Sequence, residues 1–249
     1  MFGQTSRQGK TGIVRLGLPM LHAATPKELA SEIRLFDMRV LPRDFEGAPA
    51  LFDQSWDLVG ISVLTSLAPQ AYELADGFRR RGVTVALGGV HPTFETDEAL
   101  AHADAVVQGP GETVWPQLVR DAAGGSLKRI YDGRRPPSAP PRVPVESRLA
   151  VMPRPGPIDS VYSAFNVLQA GRGCMHRCDF CSVAAFSPGY HVRPVEDVLD
   201  EVRELRARDD IYTRKGRLLG LHRRVGFLDD SIISNRDYAM RLFEGLREM

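Results

Sequence analysis

The chain has 249 residues, 43% of them apolar and 25% charged, with 32 Lys and Arg against 31 Asp and Glu for a net charge of +1. That balance is ordinary for a globular protein and excludes disordered and fibrous classes. It also leaves no basic block for nucleic acid or an anionic membrane, and the apolar runs fall short of a membrane-spanning helix. The N-terminal MFGQTSRQGKTG has no apolar core of a secretory signal, so a cytoplasmic protein is expected.

In chain order, Thr11–Leu18 reads as a first strand, a short helix starts at Thr25-Pro26, and Ile33–Val40 reads as a second strand. Asp57–Leu64 is a continuous apolar run suited to a strand buried on both faces. Leu67, Ala71, Leu74, Ala75 and Phe78 then recur at helical spacing. Val83–Leu87 is a strand ended by Gly88-Gly89, Ala105–Val107 is another, and a helix follows from about Glu112. Alternating β and α segments predict a parallel sheet with helices on both faces, its ligands bound beyond the carboxyl ends of the strands. The loops 62–67, 88–93 and 109–113 leave those ends.

Eight of the 18 prolines lie between Gly133 and Pro157. Proline lacks the amide donor and fixes φ, so this stretch is expected to hold neither helix nor central strand and to act as a linker. It divides the chain into 1–132, a linker over 133–160, and 161–249. Beyond it, Phe165–Ala170 is a strand running into GRGCMHRCDFCS. Pro194 suits the start of a helix whose inner face carries Val195, Val198, Leu199, Val202 and Leu205. Val225–Leu228 is a second strand ending in Asp229-Asp230, and a last helix buries Tyr238, Leu242 and Leu246.

The three cysteines, Cys174, Cys178 and Cys181, fall within eight positions. An odd number cannot complete a disulfide framework, so the cluster asks for another chemistry. Three thiolates can hold three irons of a 4Fe–4S cube and leave the fourth iron open to a chelating small molecule. Gly171 and Gly173 permit tight backbone and close ligand approach, and Phe180 offers an apolar face. A zinc site with His176 as fourth donor, or three unligated cysteines, are the alternatives.

GRGCMHRCDFCSV resembles the cysteine motif of the radical S-adenosylmethionine (SAM) enzymes. The resemblance implies a 4Fe–4S cluster on Cys174, Cys178 and Cys181, with the amino and carboxylate groups of SAM on the open iron and Phe180 beside the adenine. Reductive cleavage of SAM by a low-potential donor of flavodoxin or ferredoxin type would give a 5′-deoxyadenosyl radical. Segments 191–202 and 225–235 are similar to the two that follow in these enzymes, which places Asp229 and Asp230, with Gly173, among the SAM contacts. For Asp230 a charge at a helix N-terminus is the alternative.

Upstream, Ser62-Val-Leu64-Thr65, Gly88-Gly-Val-His-Pro-Thr93 and Gly109-Pro-Gly-Glu-Thr113 resemble the Rossmann-like (flavodoxin-like) cobalamin-binding domain that precedes the barrel in one subgroup. By that resemblance Ser62, Leu64, Thr65, Gly88 and Gly89 line the pocket for the cobalamin tail. The first loop reads Leu18-Pro-Met-Leu-His22-Ala-Ala-Thr25 and lacks the subgroup's Asp-x-His-x-x-Gly, so His22 is expected to be a surface or capping residue and not a cobalt ligand. His91 is expected to shape its loop. The implied fold is α/β: this domain, then the start of a partial (β/α)6 TIM-like barrel. Six units at roughly 30 or more residues each need on the order of 200 residues. The 85 residues from Phe165 onward hold two, so the sequence is expected to be an N-terminal fragment of a longer enzyme or a prematurely ended reading frame. The implied activity is cobalamin-dependent methyl transfer to an unactivated carbon of an unidentified small-molecule or peptide substrate, with ring formation or rearrangement, also found in the subgroup, as other reaction types. A non-catalytic cofactor- or partner-binding module and a zinc-stabilised structural protein are the alternatives.

Overall fold

A computed structural model describes residues 15–29, 32–37, 49–52, 54–135, 138–152 and 165–249. Two compact units divide the chain within the proline-rich stretch, one centred on 20–135 and the other on 138–249. Among the described residues no helix is long and apolar enough to cross a membrane.

The first described element is helix α1 (Gly17–Ala24), where a strand was expected at 17 and 18. The β-branched Ile13 and Val14 lie outside the described residues. From Leu18 on, the sequence is Leu, Met and Ala, good helix formers, with Pro19 in the first turn, where its missing N–H costs little. The helix expected at Thr25-Pro26 is absent, and residues 27–29 form a turn. Of the strand expected over Ile33–Val40, only Leu35–Phe36 is extended in a ladder, and 38–40 lie outside the described residues.

The core of the first unit is a four-stranded parallel sheet: β1 (Leu58–Ser62), β2 (Thr84–Gly88), β3 (Ala105–Gln108) and β4 (Ile130–Asp132), neighbours in that order. Helix α2 (Ala68–Arg79) joins β1 to β2, α3 (Val90–Phe94) and α4 (Thr96–His102) join β2 to β3, and α5 (Trp115–Ala123) joins β3 to β4. Side chains alternate along the strands. Val85, Leu87 and Val106 pack with Leu74, Ala75 and Phe78 of α2 in one layer. Ala86, Ala105 and Val107 pack with Leu118 of α5 and Tyr131 in the other. Covered faces explain why β2 and β3 read as continuous apolar runs. Among the described residues β1 is an edge strand of this sheet and none of its residues is fully buried, so the burial on both faces expected over Asp57–Leu64 is not found. Gly60 lets the Trp115 indole lie against β1, since a Cβ there would sit 2.9 Å from its Cη2.

The second unit begins inside the proline-rich stretch, and here the sequence reading needs correction. Val145–Leu149 forms one helical turn, α6, and Val151–Met152 is extended. The turn forms because Pro144 precedes it as the cap residue, where proline is tolerated, and no proline interrupts 145–152. Strand β5 (Val167–Leu168) pairs in parallel with β8 (Gly226–Phe227), Val167 opposite Gly226. Between them come the antiparallel ribbon of β6 (Gly171–Gly173) with β7 (Tyr190–Val192), a helical turn α7 (Val183–Phe186), the crossover helix α8 (Val195–Ala207) and a short helix α9 (Arg214–Leu218). The last helix is α10 (Arg236–Arg247), capped by the Asn235 side chain, which accepts from the Tyr238 N–H. Val198, Leu199, Val202 and Leu205 of α8 meet Leu168, Tyr238 and Leu242 in one core.

That core also holds a buried ion triad. Glu201 of α8 takes Arg148 of α6 and Arg193 on its two carboxylate oxygens, all three side chains being almost fully buried. The guanidiniums are further satisfied by backbone carbonyls, Arg148 donating to Val143 and Val167, and Arg193 to Gln169 and Asp197. Buried charges persist only when paired and hydrogen-bonded in this way.

Candidate functional site

Two groups of loops carry the residues singled out by the sequence, one in each unit. In the first unit they leave the carboxyl ends of β1, β2 and β3. Ser62 ends β1 directly opposite Gly88. Ser62 and Thr65 are exposed and Leu64 is half-buried, so the two hydroxyls face solvent at the strand end. Gly89 has φ of +97°, and a Cβ there would lie 2.9 Å from both the N and the O of Val63. Only glycine fits, and its presence lets the Gly88–Gly89 backbone cross tightly over the end of β1. The crossing is tied by the Val63 N–H donating to the Gly88 carbonyl at 2.8 Å and the His91 N–H donating to the Val63 carbonyl at 3.2 Å. The structure thus brings Ser62, Leu64, Thr65, Gly88 and Gly89 together at one edge of the sheet.

His91 is buried, its Nε2 2.9 Å from the Tyr72 hydroxyl and 3.4 Å from a carboxylate oxygen of Glu98. It therefore packs α3 onto α2. His22 sits half-buried in the last turn of α1, and burial lowers its pKa.

In the second unit the three cysteines lie on residues 174–189, the connection of the β6–β7 ribbon. Its neck is pinned. Gly173 has φ of +80°, and a Cβ there would sit 1.9 Å from the Gly189 carbonyl oxygen. The carboxylates that follow β8 reach back to the same neck: Asp229 accepts from the Ala170 N–H at 3.1 Å and the Gly171 N–H at 2.5 Å, and Asp230 accepts from the Gly173 N–H at 2.8 Å. Asp229 uses both oxygens on backbone, and burial pushes its pKa up despite those donors. Asp230 is exposed and keeps its second oxygen open. Asp230 also lies before a turn and not in the first turn of a helix, so the helix-charge alternative does not apply.

Cys178 and Cys181 are exposed and Cys174 is half-buried. The Ser234 hydroxyl stands 3.5 Å from the Cys174 sulfur, and the His176 N–H donates to that sulfur at 3.5 Å. Ser234 first, then the His176 amide, hold the Cys174 thiol below its ordinary pKa. Among the described residues no three His, Cys, Asp or Glu side chains are gathered as a single-ion site. A cubic cluster makes a different demand, because each thiolate takes a separate iron and the ligands stand apart around the cube. One loop bearing three exposed or half-buried thiols fits that demand. Phe180 is 92% exposed and Met175 56%, so the loop presents apolar side chains beside the sulfurs.

Sequence reasoning missed the roles of Thr93, Gln108, Ser234 and Glu201. Ser234 and Thr93 sit within the quoted motifs, but their partners are 60 positions away in one case and backbone atoms in the other. Only Thr93, four residues after Gly89, carries a local signal, the spacing at which a hydroxyl reaches back to a carbonyl.

Residues 11–119 match the family model described as the B12 binding domain. That segment of the chain, not the whole of it, is of the B12-binding type. Among curated proteins, the chain is 30% identical over 251 residues to a bacteriochlorophyllide d C-12(1)-methyltransferase of Chlorobaculum tepidum, covering 99% of this chain and 50% of that protein. It is 38% identical over 137 residues to the C-8(2)-methyltransferase of the same organism, covering 55% of this chain and 30% of that protein. It is 30% identical over 179 residues to an anaerobic magnesium-protoporphyrin IX monomethyl ester cyclase of Rubrivivax gelatinosus, covering 62% and 32%. The chain spans half or less of the length of these relatives. Among solved structures, the cobalamin-dependent SAM radical enzyme OxsB with aqua-cobalamin bound aligns at TM-score 0.65 and 18% identity, over 95% of this chain and 35% of that one. The radical SAM methyltransferase TsrM of Kitasatospora setae, with tryptophan and a SAM analogue bound, aligns at 0.65 and 19%, over 97% and 49%. At such identities the likeness establishes the fold alone: α/β, with a Rossmann-like B12-binding domain.

Proposed function

We propose that this chain provides the cofactor-binding half of a cobalamin-dependent radical SAM methyltransferase. The observation that carries the reading is the pairing, in one chain, of a B12-binding domain with a pinned three-cysteine loop at the end of a parallel strand. When bound, a reduced 4Fe–4S cluster would supply the electron that cleaves SAM to a 5′-deoxyadenosyl radical, and cobalamin would carry the methyl group.

The chain's own residues act by binding and positioning. Cys174, Cys178 and Cys181 are the cluster ligands, and Ser234 donates to the Cys174 thiolate. Phe180 gives an apolar face for the adenine. Asp229 and Asp230 hold the neck of the loop through backbone amides, and the free oxygen of Asp230, with Gly173, is available to SAM. In the B12-binding domain, Ser62 and Thr65 offer hydroxyls to the polar cobalamin tail, Leu64 lines its path, and Gly88-Gly89 set the tight crossing of the strand ends that presents them. The electron comes from a low-potential donor of flavodoxin or ferredoxin type, in the cytoplasm.

Two methyltransferases among the relatives favour methyl transfer. The cyclase favours a second outcome, ring formation, on the same cofactor set.

The test is anaerobic reconstitution of the intact chain with iron, sulfide and hydroxocobalamin, followed by metal analysis after desalting. The reading expects about four irons and about one cobalt per chain, with a triple Cys174→Ala, Cys178→Ala, Cys181→Ala variant losing iron and keeping cobalt. Zinc at about one per chain with no iron would overturn it in favour of a structural zinc site.

A further inference from the structure

Across the carboxyl ends of β2, β3 and β4 runs a chain of polar contacts in which neither the Ser62 nor the Thr65 hydroxyl takes part. Thr93 is its centre. Its side chain is 5% exposed. Its hydroxyl donates to the Gly89 carbonyl at 2.7 Å and accepts from the Gly109 N–H at 2.9 Å. One buried oxygen thus bridges the loop after β2 to the loop after β3. A second rung lies alongside: the Thr96 hydroxyl donates to the Pro92 carbonyl and accepts from the Gln108 side-chain amide at 2.7 Å. The Gln108 carbonyl oxygen takes Arg134 at 2.8 Å, and Arg134 is paired with Asp132 at the end of β4.

Both loops joined by Thr93 turn on a glycine of positive φ. Gly89 and Gly109 have φ of +97° and +72°, and glycine has more freedom to lose than any other residue. Without the bridge, the Gly89 carbonyl would keep only the long 3.3 Å bond from the Thr93 N–H, and the Gly109 N–H would lose the partner shown here. A ligand threading between the loops would then have to order them at its own expense, which weakens binding.

We propose that Thr93 is a positioning residue that sets the separation of the Gly88–Gly89 and Gly109–Gly111 loops and thereby the affinity of the B12-binding domain for cobalamin. The inference rests on the cobalamin-binding reading given above and assigns Thr93 no contact with the ligand. Its opposite number is Asp104, at the amino ends of the strands, whose carboxylate accepts from the Val85 N–H at 2.8 Å and from Arg79 at 3.2 Å. Asp104 is a comparable staple at the end of the sheet that faces away from the motif loops, and so serves as a control for stability alone.

The experiment titrates hydroxocobalamin into the intact chain, read by absorbance, for wild type, Thr93→Val, Thr93→Ser and Asp104→Ala, with the melting temperature of each unliganded protein measured beside it. Valine keeps the shape and removes the hydroxyl; serine restores it. The proposal expects Thr93→Val to bind roughly tenfold more weakly, as the loss of a buried hydrogen-bond bridge implies. Thr93→Ser should stay within about twofold of wild type, and Asp104→Ala should melt earlier while binding like wild type. Wild-type affinity in Thr93→Val, or equal weakening in Thr93→Val and Asp104→Ala, would overturn it. A wild-type chain that takes up no cobalamin would overturn the ligand reading itself, a result visible before any variant is made.

Discussion

Replacing Gly89 by alanine should disable the crossing between the first two strands of the B12-binding domain. The backbone at Gly89 has φ of +97° and ψ of −168°, a region reached by glycine almost alone, and holding an L-residue there costs about 1–3 kcal/mol. The added methyl would also meet the Val63 N and O at 2.9 Å, both backbone atoms, so no side-chain rotation relieves it. Moving Val63 strains its bonds to Gly88 and His91, about 1 kcal/mol for each one lost. The sum is roughly 2–5 kcal/mol, a large part of the 5–15 kcal/mol of an ordinary domain. Urea denaturation of the intact chain, with Gly82→Ala as reference, measures it. Gly82 has φ of +78° but open space around its Cβ, so that variant carries a positive-φ penalty without a collision. Gly89→Ala must therefore be the more destabilised of the two and bind cobalamin worse. Equal stability of the two variants would refute the close-approach argument.

Three further outcomes are expected. Glu201→Leu leaves Arg148 and Arg193 buried without their counter-charge, and should cost about 3–5 kcal/mol in denaturation of the intact chain; a cost under about 1 kcal/mol would deny the triad its role. Asp230→Ala removes the carboxylate that takes the Gly173 N–H and should lower iron retained after anaerobic reconstitution, with little change in cobalamin uptake; a parallel loss of both would point to general unfolding. Asp229 has its native pKa raised by burial above the 3.8 of an ordinary Asp, so the native state holds the proton more tightly than the unfolded chain does. The stability this gives is full below about pH 4 and lost as pH rises through the raised value. The stability of wild type relative to Asp229→Asn should therefore decline over that window, and a difference that grows with pH would contradict the assignment.

The sequence was legible where periodicity decides structure. Ala71, Leu74, Ala75 and Phe78 are buried on one face of α2, as their spacing predicts, and the run at 57–64 does hold a sheet strand over 58–62, though at the sheet's edge and not buried on both faces. It was illegible where local rules compete. The apolar residues at 17 and 18 suit strand or helix equally, and the chain chose α1. Proline content alone hid α6, because 145–149 is free of proline and Arg148 is drawn into the core by Glu201, 53 positions away. In the candidate sites, glycine patterns marked the crossing at Gly89 and the neck at Gly173, both of which require φ above zero. The reach of Asp229 and Asp230 to backbone amides, and of Thr93 between two loops, depends on strands meeting in space, which no window of sequence displays.

The proposed function turns on whether this chain holds a cluster with an iron open to SAM. The most direct test is EPR of the anaerobically reconstituted, reduced chain with and without SAM. The account predicts a 4Fe–4S signal that changes when SAM is added. Folded protein that forms no cluster, or a cluster signal indifferent to SAM, would contradict it.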